Sequence, residues 1–566
     1  VLESLTHGLS SVMVAYGAVQ VPLLAGLIRG RAPLKEYWGS PLVSAALTGA
    51  AALGMAAASP VFGALGAAPD GLLRFAVSTA ASAALGFAAG RALAEPEERE
   101  KTHQRGAVLA QQTRVTRPRR GRGSHEPEIT LAGNVIPLAD ETKHFKLIGT
   151  TGTGKSTAIQ EMLTTALARG DRAVIADPDG GYARRFYDPH RGDMVLNPFD
   201  PRSVKWDLFA EIKNGYDVDQ LARSLIPDHD GADRSWRGYA RTFFGAVTRQ
   251  VHEAGITDVG ELYRLLVVAD VKELRGLVKG TPAQPFLDEH NSRMFDSIRS
   301  VTSSAVAALG YVAQQQAEQF SVREWVRSES PGVLFLPYKA GQIATLRSPI
   351  SAWMRLAIFE AMDQEEHAGP PAQQERRLWF VVDELDALGH IDGLKDALAR
   401  LRKFGGRCVL GFQSIAQVSS TYGQGDAHTI VENCANTLIL RCSASEGGGT
   451  ARFASQLIGD REVIRTTMST SRRPAEIFGS TSQSEQFSLE AAVLPSQIEQ
   501  LPDLDGYLKH ASDPHWHRVR LDAVRRWQEL RSTAVDGSPA GPQASVGPQR
   551  APGRQGWAGR EGSSHE

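Results

Sequence analysis

Apolar residues are massed at the start of the chain and then recur in short, regular bursts. Between Glu3 and Arg29 only His7 could carry a charge, residues 37–69 form 33 consecutive uncharged positions, and a third apolar run lies between Arg74 and Arg91. A helix needs about 20 mostly apolar residues to cross a bilayer, so the first two runs are long enough. The third is marginal unless its flanking arginines snorkel. The run Gly8–Ile28 lacks a basic leader and exceeds the apolar length of a secretory signal, so it reads as a span. Charges are absent all round these segments rather than from one face, which favours insertion over a soluble Ala-rich hairpin. Two or three spans within residues 1–92 are therefore expected, making a multi-pass anchor. Arg29, Arg31 and Lys35 make the first loop basic, whereas the turn at Pro69 and Asp70 has no positive residue. By the charge bias of membrane loops the former faces the cytoplasm, and so does everything after Arg91.

Beyond the anchor the pattern changes. Residues 93–128 are polar, with Arg114, Arg117, Arg119, Arg120 and Arg122 close together, and read as a basic linker or a site for anionic headgroups. Short apolar, β-branched runs follow: Phe145–Gly149, Ala173–Asp177, Val333–Leu336, Leu378–Asp383, Cys408–Phe412 and Thr437–Leu440. Helical patterns, Ser156–Arg169, Ile350–Met362 and Leu394–Lys403, separate several of them. Such alternation predicts an α/β fold with a parallel sheet covered on both faces, over residues 129–212 and 317–531. Between them, residues 213–316 switch to helical spacing, with Leu221, Phe243, Phe244, Val247, Leu262, Leu265 and Ile298, and predict an all-α insertion. Residues 532–566 are rich in Pro, Gly, Ser and Gln, the composition of a disordered tail.

Composition adds exclusions. Lys plus Arg number 62 against 63 Asp plus Glu, a net charge of −1, so any nucleic-acid surface must be local. Cys408, Cys434 and Cys442 have no metal-ligand spacing and no complete disulfide framework, which suits a reducing compartment. His515-Trp516-His517 lacks companions at zinc spacing, and there is no Gly-x-Ser-x-Gly elbow.

The chemistry concentrates in three places. The segment Gly149-Thr150-Thr151-Gly152-Thr153-Gly154-Lys155-Ser156 lies between an apolar strand and a helix, the context of a phosphate-binding P-loop. Its glycines let backbone N–H groups converge on phosphates, and the helix N-terminus adds partial positive charge. Lys155 is expected on the β- and γ-phosphates of ATP and the Ser156 hydroxyl on Mg²⁺, and the cradle runs from Gly149 to Thr157. Second, five apolar residues, Leu378 to Val382, run into Asp383 and Glu384. A buried strand ending there offers Asp383 to the Mg²⁺ shell and Glu384 to the attacking water. Third, Gln413 closes the strand Cys408–Phe412, where an amide beside the carboxylate strand could sense the γ-phosphate. Just before it, Leu394–Arg407 reads as an amphipathic helix with Leu394, Leu398 and Leu401 inward and Arg400, Arg402 and Lys403 outward. Arg402, or failing it Arg400, is a candidate for reaching a neighbouring subunit's ATP.

With these residues the chain resembles the TraD/TrwB-type coupling proteins of conjugative type IV secretion, in the FtsK/HerA-like P-loop ATPase superfamily. Further motifs carry the likeness: Asn197-Pro198-Phe199-Asp200, Trp206-Asp207-Leu208-Phe209, Ser224-Leu225-Ile226-Pro227, Trp236 with Arg241-Thr242-Phe243-Phe244, Arg402-Lys403-Phe404-Gly405-Gly406, and Leu501-Pro502-Asp503-Leu504. The resemblance implies a RecA-like nucleotide-binding core interrupted by an all-α domain. It also implies a homo-hexameric ring in the bacterial inner membrane, an ATPase that takes a relaxase with its single-stranded DNA to the channel proteins of type IV secretion. The family commonly has two spans rather than three, and the short Pro/Gly tail departs from the acidic or Gln-rich tails of some members. Two alternatives stay open: a membrane-anchored pump for double-stranded DNA, and a type IV ATPase exporting protein effectors.

Overall fold

The structure is a computed structural model that describes residues 2–29, 37–50, 102–110, 127–228, 234–328, 330–363, 377–445, 448–471 and 480–522, with short stretches between 53 and 91. The arginine cluster at 114–122, most of the second and third apolar runs beyond residue 50, and the tail from 532 lie outside the described residues. Two compact units divide the chain: residues 1–108 with 455–494, and residues 109–454 with 495–566.

The first unit holds the long helix Leu2–Arg29, whose window Val12–Arg29 is long and apolar enough to cross a membrane. Among the described residues it is the one helix that passes this test. The same unit contains an element with no counterpart in the sequence reading. Strands Asp460–Ser471 and Ser480–Ala491 pair antiparallel over twelve residues each, and Thr102–Gly106 joins the outer side of the first.

The second unit is built on a ten-stranded sheet. In chain order its strands are β1 (Leu109–Ala110), β2 (Phe145–Ile148), β3 (Arg172–Pro178), β4 (Met194–Val195), β5 (Val333–Tyr338), β6 (Leu378–Val382), β7 (Gly406–Phe412), β8 (Asn436–Ile439), β9 (Asp505–Lys509) and β10 (Trp516–Arg520). Their order across the sheet is β1-β10-β9-β8-β2-β7-β6-β3-β5-β4. The seven strands from β8 to β4 are parallel, β9 and β10 are antiparallel additions, and β1 lies parallel to β10.

The continuous apolar runs are explained by burial on both faces. Phe145, Leu147, Ala173, Ile175, Trp379, Val381 and Val409 pack on one face with Ile159, Met162 and Leu163 of the helix Lys155–Ala168. Their strand neighbours Val174, Ala176, Phe380, Val382 and Leu410, one residue out of phase, are equally buried, and on β3 and β5 the sheet packs against the helix Ile343–Met362. That helix starts seven residues before the expected Ile350 and carries Pro349 within it. Residues 213–316 contain the helices Gly215–Leu225, Arg234–Glu253, Val259–Val267, Val271–Leu277, Ser292–Ala305 and Ala307–Gln314.

The helix expected over Leu394–Arg407 is shorter. It ends at Leu401, a 3₁₀ turn covers Arg402–Phe404, and Gly405 at φ +72° breaks the chain into β7. Arg407 is consequently a strand residue, fully buried, with its Nε 2.9 Å from Glu141 Oε2. Glu141 in turn holds Arg169, whose guanidinium also grips Asp171. The expected helix ran on to Arg407, whose buried partner Glu141 lies 266 positions away.

Candidate functional site

The C-terminal ends of β2, β6, β7 and β3 meet along one edge of the sheet, and the expected chemistry is gathered there. After β2 the chain turns through Gly149–Gly154 into the helix Lys155–Ala168. The turn is fixed by hydrogen bonds: Gly149 N donates to Phe412 O at 3.3 Å, Thr150 N to Arg441 O at 2.9 Å, and the Thr153 hydroxyl Oγ1 to Thr150 O at 2.7 Å. Gly154 stands at φ +118°, and a Cβ there would meet Leu504 Cδ2 and Leu521 Cδ1, both at 2.9 Å. Lys155 is buried and folds back onto the loop, donating from Nζ to Gly149 O at 2.6 Å and to Thr150 O at 3.2 Å. Burial lowers the pKa of its ammonium, while the nearby Asp383 and Glu384 act in the opposite direction.

β2 and β6 are not neighbours; β7 runs between them. In register, Val382 pairs with Leu410, which sets Asp383 beside Gly411. A side chain at 411 would overlap the Asp383 carbonyl, so a glycine near the end of this apolar strand is a packing requirement. Asp383, 3% exposed, then reaches the P-loop helix: Ser156 Oγ donates to its Oδ2 at 2.6 Å. Tyr182 OH donates to the same oxygen at 2.8 Å. Asp383 Oδ1 and Asp386 Oδ1 are buried without a hydrogen-bond partner among the described residues. A buried carboxylate oxygen left open beside a hydroxyl is the donor set a hard, oxygen-seeking cation such as Mg²⁺ requires.

Glu384 and Gln413 are also brought together. Gln413 Nε2 donates to Glu384 Oε1 at 3.1 Å, and Thr151 Oγ1 of the loop donates to Gln413 Oε1 at 2.9 Å. Burial raises the pKa of the Glu384 carboxyl, Asp383 and Asp386 push it the same way, and Lys155 and Gln413 pull it back. Thr157 follows Ser156 in the first turn of the helix.

Arg400 and Arg402 stand elsewhere. They are exposed and precede β7, whereas Gln413 follows it, so the length of the strand, roughly 20 Å, separates them from the loop of their own chain. Near that opposite edge His144 Nε2 lies 2.9 Å from Leu398 O, and burial, aided by Arg402 and Arg407, pushes its imidazole down to about 4. Arg441, by contrast, lies beside the loop and pairs with Asp503 at 2.6 Å.

Two residues escaped the sequence reading. Asp177 ends β3 and accepts from Tyr182 N at 3.0 Å and Ala183 N at 2.7 Å, fixing the short helix that carries Tyr182. Burial raises the Asp177 carboxyl to about 6. The signal was present as an aspartate closing an apolar strand before Gly180-Gly181.

Together these features describe an α/β protein with a glycine-rich phosphate-type loop facing an acid-tipped strand across one intervening strand. Residues 128–522, well over half of the chain, match the DNA-binding domain of type IV secretion-system coupling proteins, and the chain belongs to that family. The coupling protein TraD of Escherichia coli K12 is 31% identical over 389 residues, covering 68% of this chain and 53% of TraD. The chain thus spans about half the length of that relative. Structures of the plasmid coupling protein TrwB align with TM-score 0.64 and 30% identity, over 75% of this chain. One of these TrwB structures, 94% covered, holds the non-hydrolysable ATP analogue ADPNP; another, 95% covered, holds ADP and Mg²⁺.

The geometry around Gly154 makes a direct prediction. Gly154→Ala adds a methyl group to a left-handed backbone position already closed by two leucines, costing about 1–3 kcal/mol. A lowered thermal midpoint together with weakened nucleotide binding is expected; a variant that melts and binds like the wild type contradicts the packing described.

Proposed function

We propose that this chain is a membrane-anchored ATPase that couples a relaxase and its single-stranded DNA to a type IV secretion channel during conjugation. The observation that carries the catalytic half is the Ser156–Asp383 contact, with Asp383 Oδ1 open beside it. Membership of the coupling-protein family, whose matched segment is a DNA-binding domain, supports the DNA half. The apolar helix Leu2–Arg29 supports an anchor in the bacterial inner membrane, with the ATPase on the cytoplasmic side. A RecA-like core within a homo-hexameric ring completes the proposal.

In this reading Gly149 to Thr157 wrap the phosphates of ATP with backbone N–H groups. Lys155 exchanges the carbonyls of Gly149 and Thr150 for the β- and γ-phosphates, and its charge stabilises the transferring group. Ser156 and Asp383 would hold Mg²⁺, which when bound supplies positive charge to offset that developing on the phosphate oxygens. Glu384 takes the proton of the attacking water. Gln413 keeps Glu384 placed and ties it to Thr151, so that the water-activating acid and the phosphate loop report on each other. Arg402, or failing it Arg400, serves the ATP of the adjacent subunit, since each lies far from its own loop.

Substitutions test these roles. Lys155→Ala should lower ATP turnover by about 10²–10³-fold or more, and Glu384→Gln should bind nucleotide normally yet fail to hydrolyse it. Ordinary turnover in the first variant, or lost binding in the second, removes the assignment.

Glu384 must be ionised to act as a base, so activity should fall on acidification through a pKa held above the ordinary carboxylate range. Gln413→Ala removes a donor that favours the ionised form; the acid limb of the pH profile should therefore move to higher pH. An unmoved limb argues that Gln413 does not support Glu384.

Finally, mixing Lys155→Ala with Arg402→Ala protein under assembling conditions should restore part of the lost turnover, because some interfaces then pair an intact loop with an intact arginine. No recovery, or near-full activity of Arg402→Ala alone, shows that Arg402 does not act across subunits.

A further inference from the structure

Among the described residues, the three-stranded sheet of the first unit ends in two outer strands with no further strand paired to them, and their chemistry differs. In strand order Thr102–Gly106 lies at one side, Asp460–Ser471 in the middle and Ser480–Ala491 at the other. The outer strand runs Ser-Thr-Ser-Gln-Ser-Glu-Gln-Phe-Ser-Leu-Glu-Ala: twelve residues with no proline, lysine or arginine. Natural edge strands are usually blunted by such residues, because an unprotected edge is a template for another strand. The stretch Ser484–Phe487 is exposed, Phe487 is 59% exposed and Leu489 74% exposed. The opposite strand presents an exposed Arg105, which lies level with Leu489.

Register and direction agree with a self-complementary fit. Thr102 pairs with Ile464 and Gly106 with Arg461; Ile464 pairs with Phe487 and Arg461 with Glu490. The strand Thr102–Gly106 is therefore level with Phe487–Glu490, the stretch that holds both exposed apolar side chains. Both pairings are antiparallel, so the two outer strands run in the same direction. A rotation about a ring axis preserves direction and height, so for strands running roughly along that axis it brings one copy's Thr102–Gly106 parallel to its neighbour's Phe487–Glu490. Contacts of this head-to-tail kind form a ring when the rotation between copies closes.

We infer that the edge Ser480–Ala491 of one protomer pairs with the edge Thr102–Gly106 of the next, so that the small sheets join into a continuous band around the assembly. The partner is a second copy of this chain. The inference rests on the proposed ring and adds where the subunits meet: at a sheet whose first strand, Thr102–Gly106, follows the apolar N-terminal segment along the chain, so that insertion would concentrate the copies.

The test is disulfide crosslinking of the full chain in detergent, with oligomer mass measured in parallel. Cys408, Cys434 and Cys442 are buried and do not compete. Within one protomer residues 105 and 489 are two strands apart, about 9–10 Å, beyond the roughly 7 Å limit for a disulfide. The double variant Arg105→Cys, Leu489→Cys should give a ladder of crosslinked oligomers on oxidation, and each single variant should stay monomeric on the same gel. Leu489→Lys, which protects the edge, should shift assembly to higher protein concentration without lowering the melting temperature of the monomer. Oligomers of ring mass that yield no crosslink and assemble normally with Leu489→Lys overturn the edge pairing while leaving the ring. Monomers at every concentration overturn the ring and the pairing together.

Discussion

The site depends on spanning one strand. Because β7 separates the loop strand from the acid strand, Ser156 and Asp383 meet only if the strand between them leaves room at its end. Gly411 supplies that room, and the alternation that buries Val381 and Val409 on one face and Val382 and Leu410 on the other sets the register that makes it effective. The core and the chemistry are thus one arrangement: shifting β7 by a single residue would turn its side chains to the wrong face and withdraw Gly411 from Asp383.

The same interposed strand gives the site its means of communication. Gln413 ends β7 between two active elements, touching Glu384 on one side and Thr151 on the other. Any displacement of the loop by phosphate therefore acts on the residue that would activate water. The far end of β7 begins at Gly406, just after the 3₁₀ turn that carries the exposed Arg402. In the proposed ring, one strand would link the candidate water-activating site to the candidate contact with the next subunit.

Much of this was legible in the sequence because the signals were local. Gly149–Ser156 carries its own turn, and Leu378–Glu384 announces a buried strand ending in acids. What stayed hidden depends on distant partners. Tyr182 gained meaning only when the sheet brought it to Asp383, 201 positions away. The expected helix ran through Arg407, whereas the residue lies buried in a strand against Glu141. The hairpin Asp460–Ala491 gave no apolar alternation beyond its first residues, since Ser, Thr and Gln fill its outer half, and its pairing with Thr102–Gly106 spans most of the chain. Composition could not show that a strand over 350 residues earlier joins this hairpin.

The central claim is that ATP turnover at this edge is driven by a nucleic-acid track. Its most direct test is the steady-state rate of ATP hydrolysis by the full chain in lipid vesicles, with and without single-stranded DNA, over a range of salt. The account predicts a higher rate with single-stranded DNA than with duplex, and stimulation that declines steeply as salt rises, because phosphate contacts release counterions on binding. A rate indifferent to single-stranded DNA at every salt concentration would contradict it.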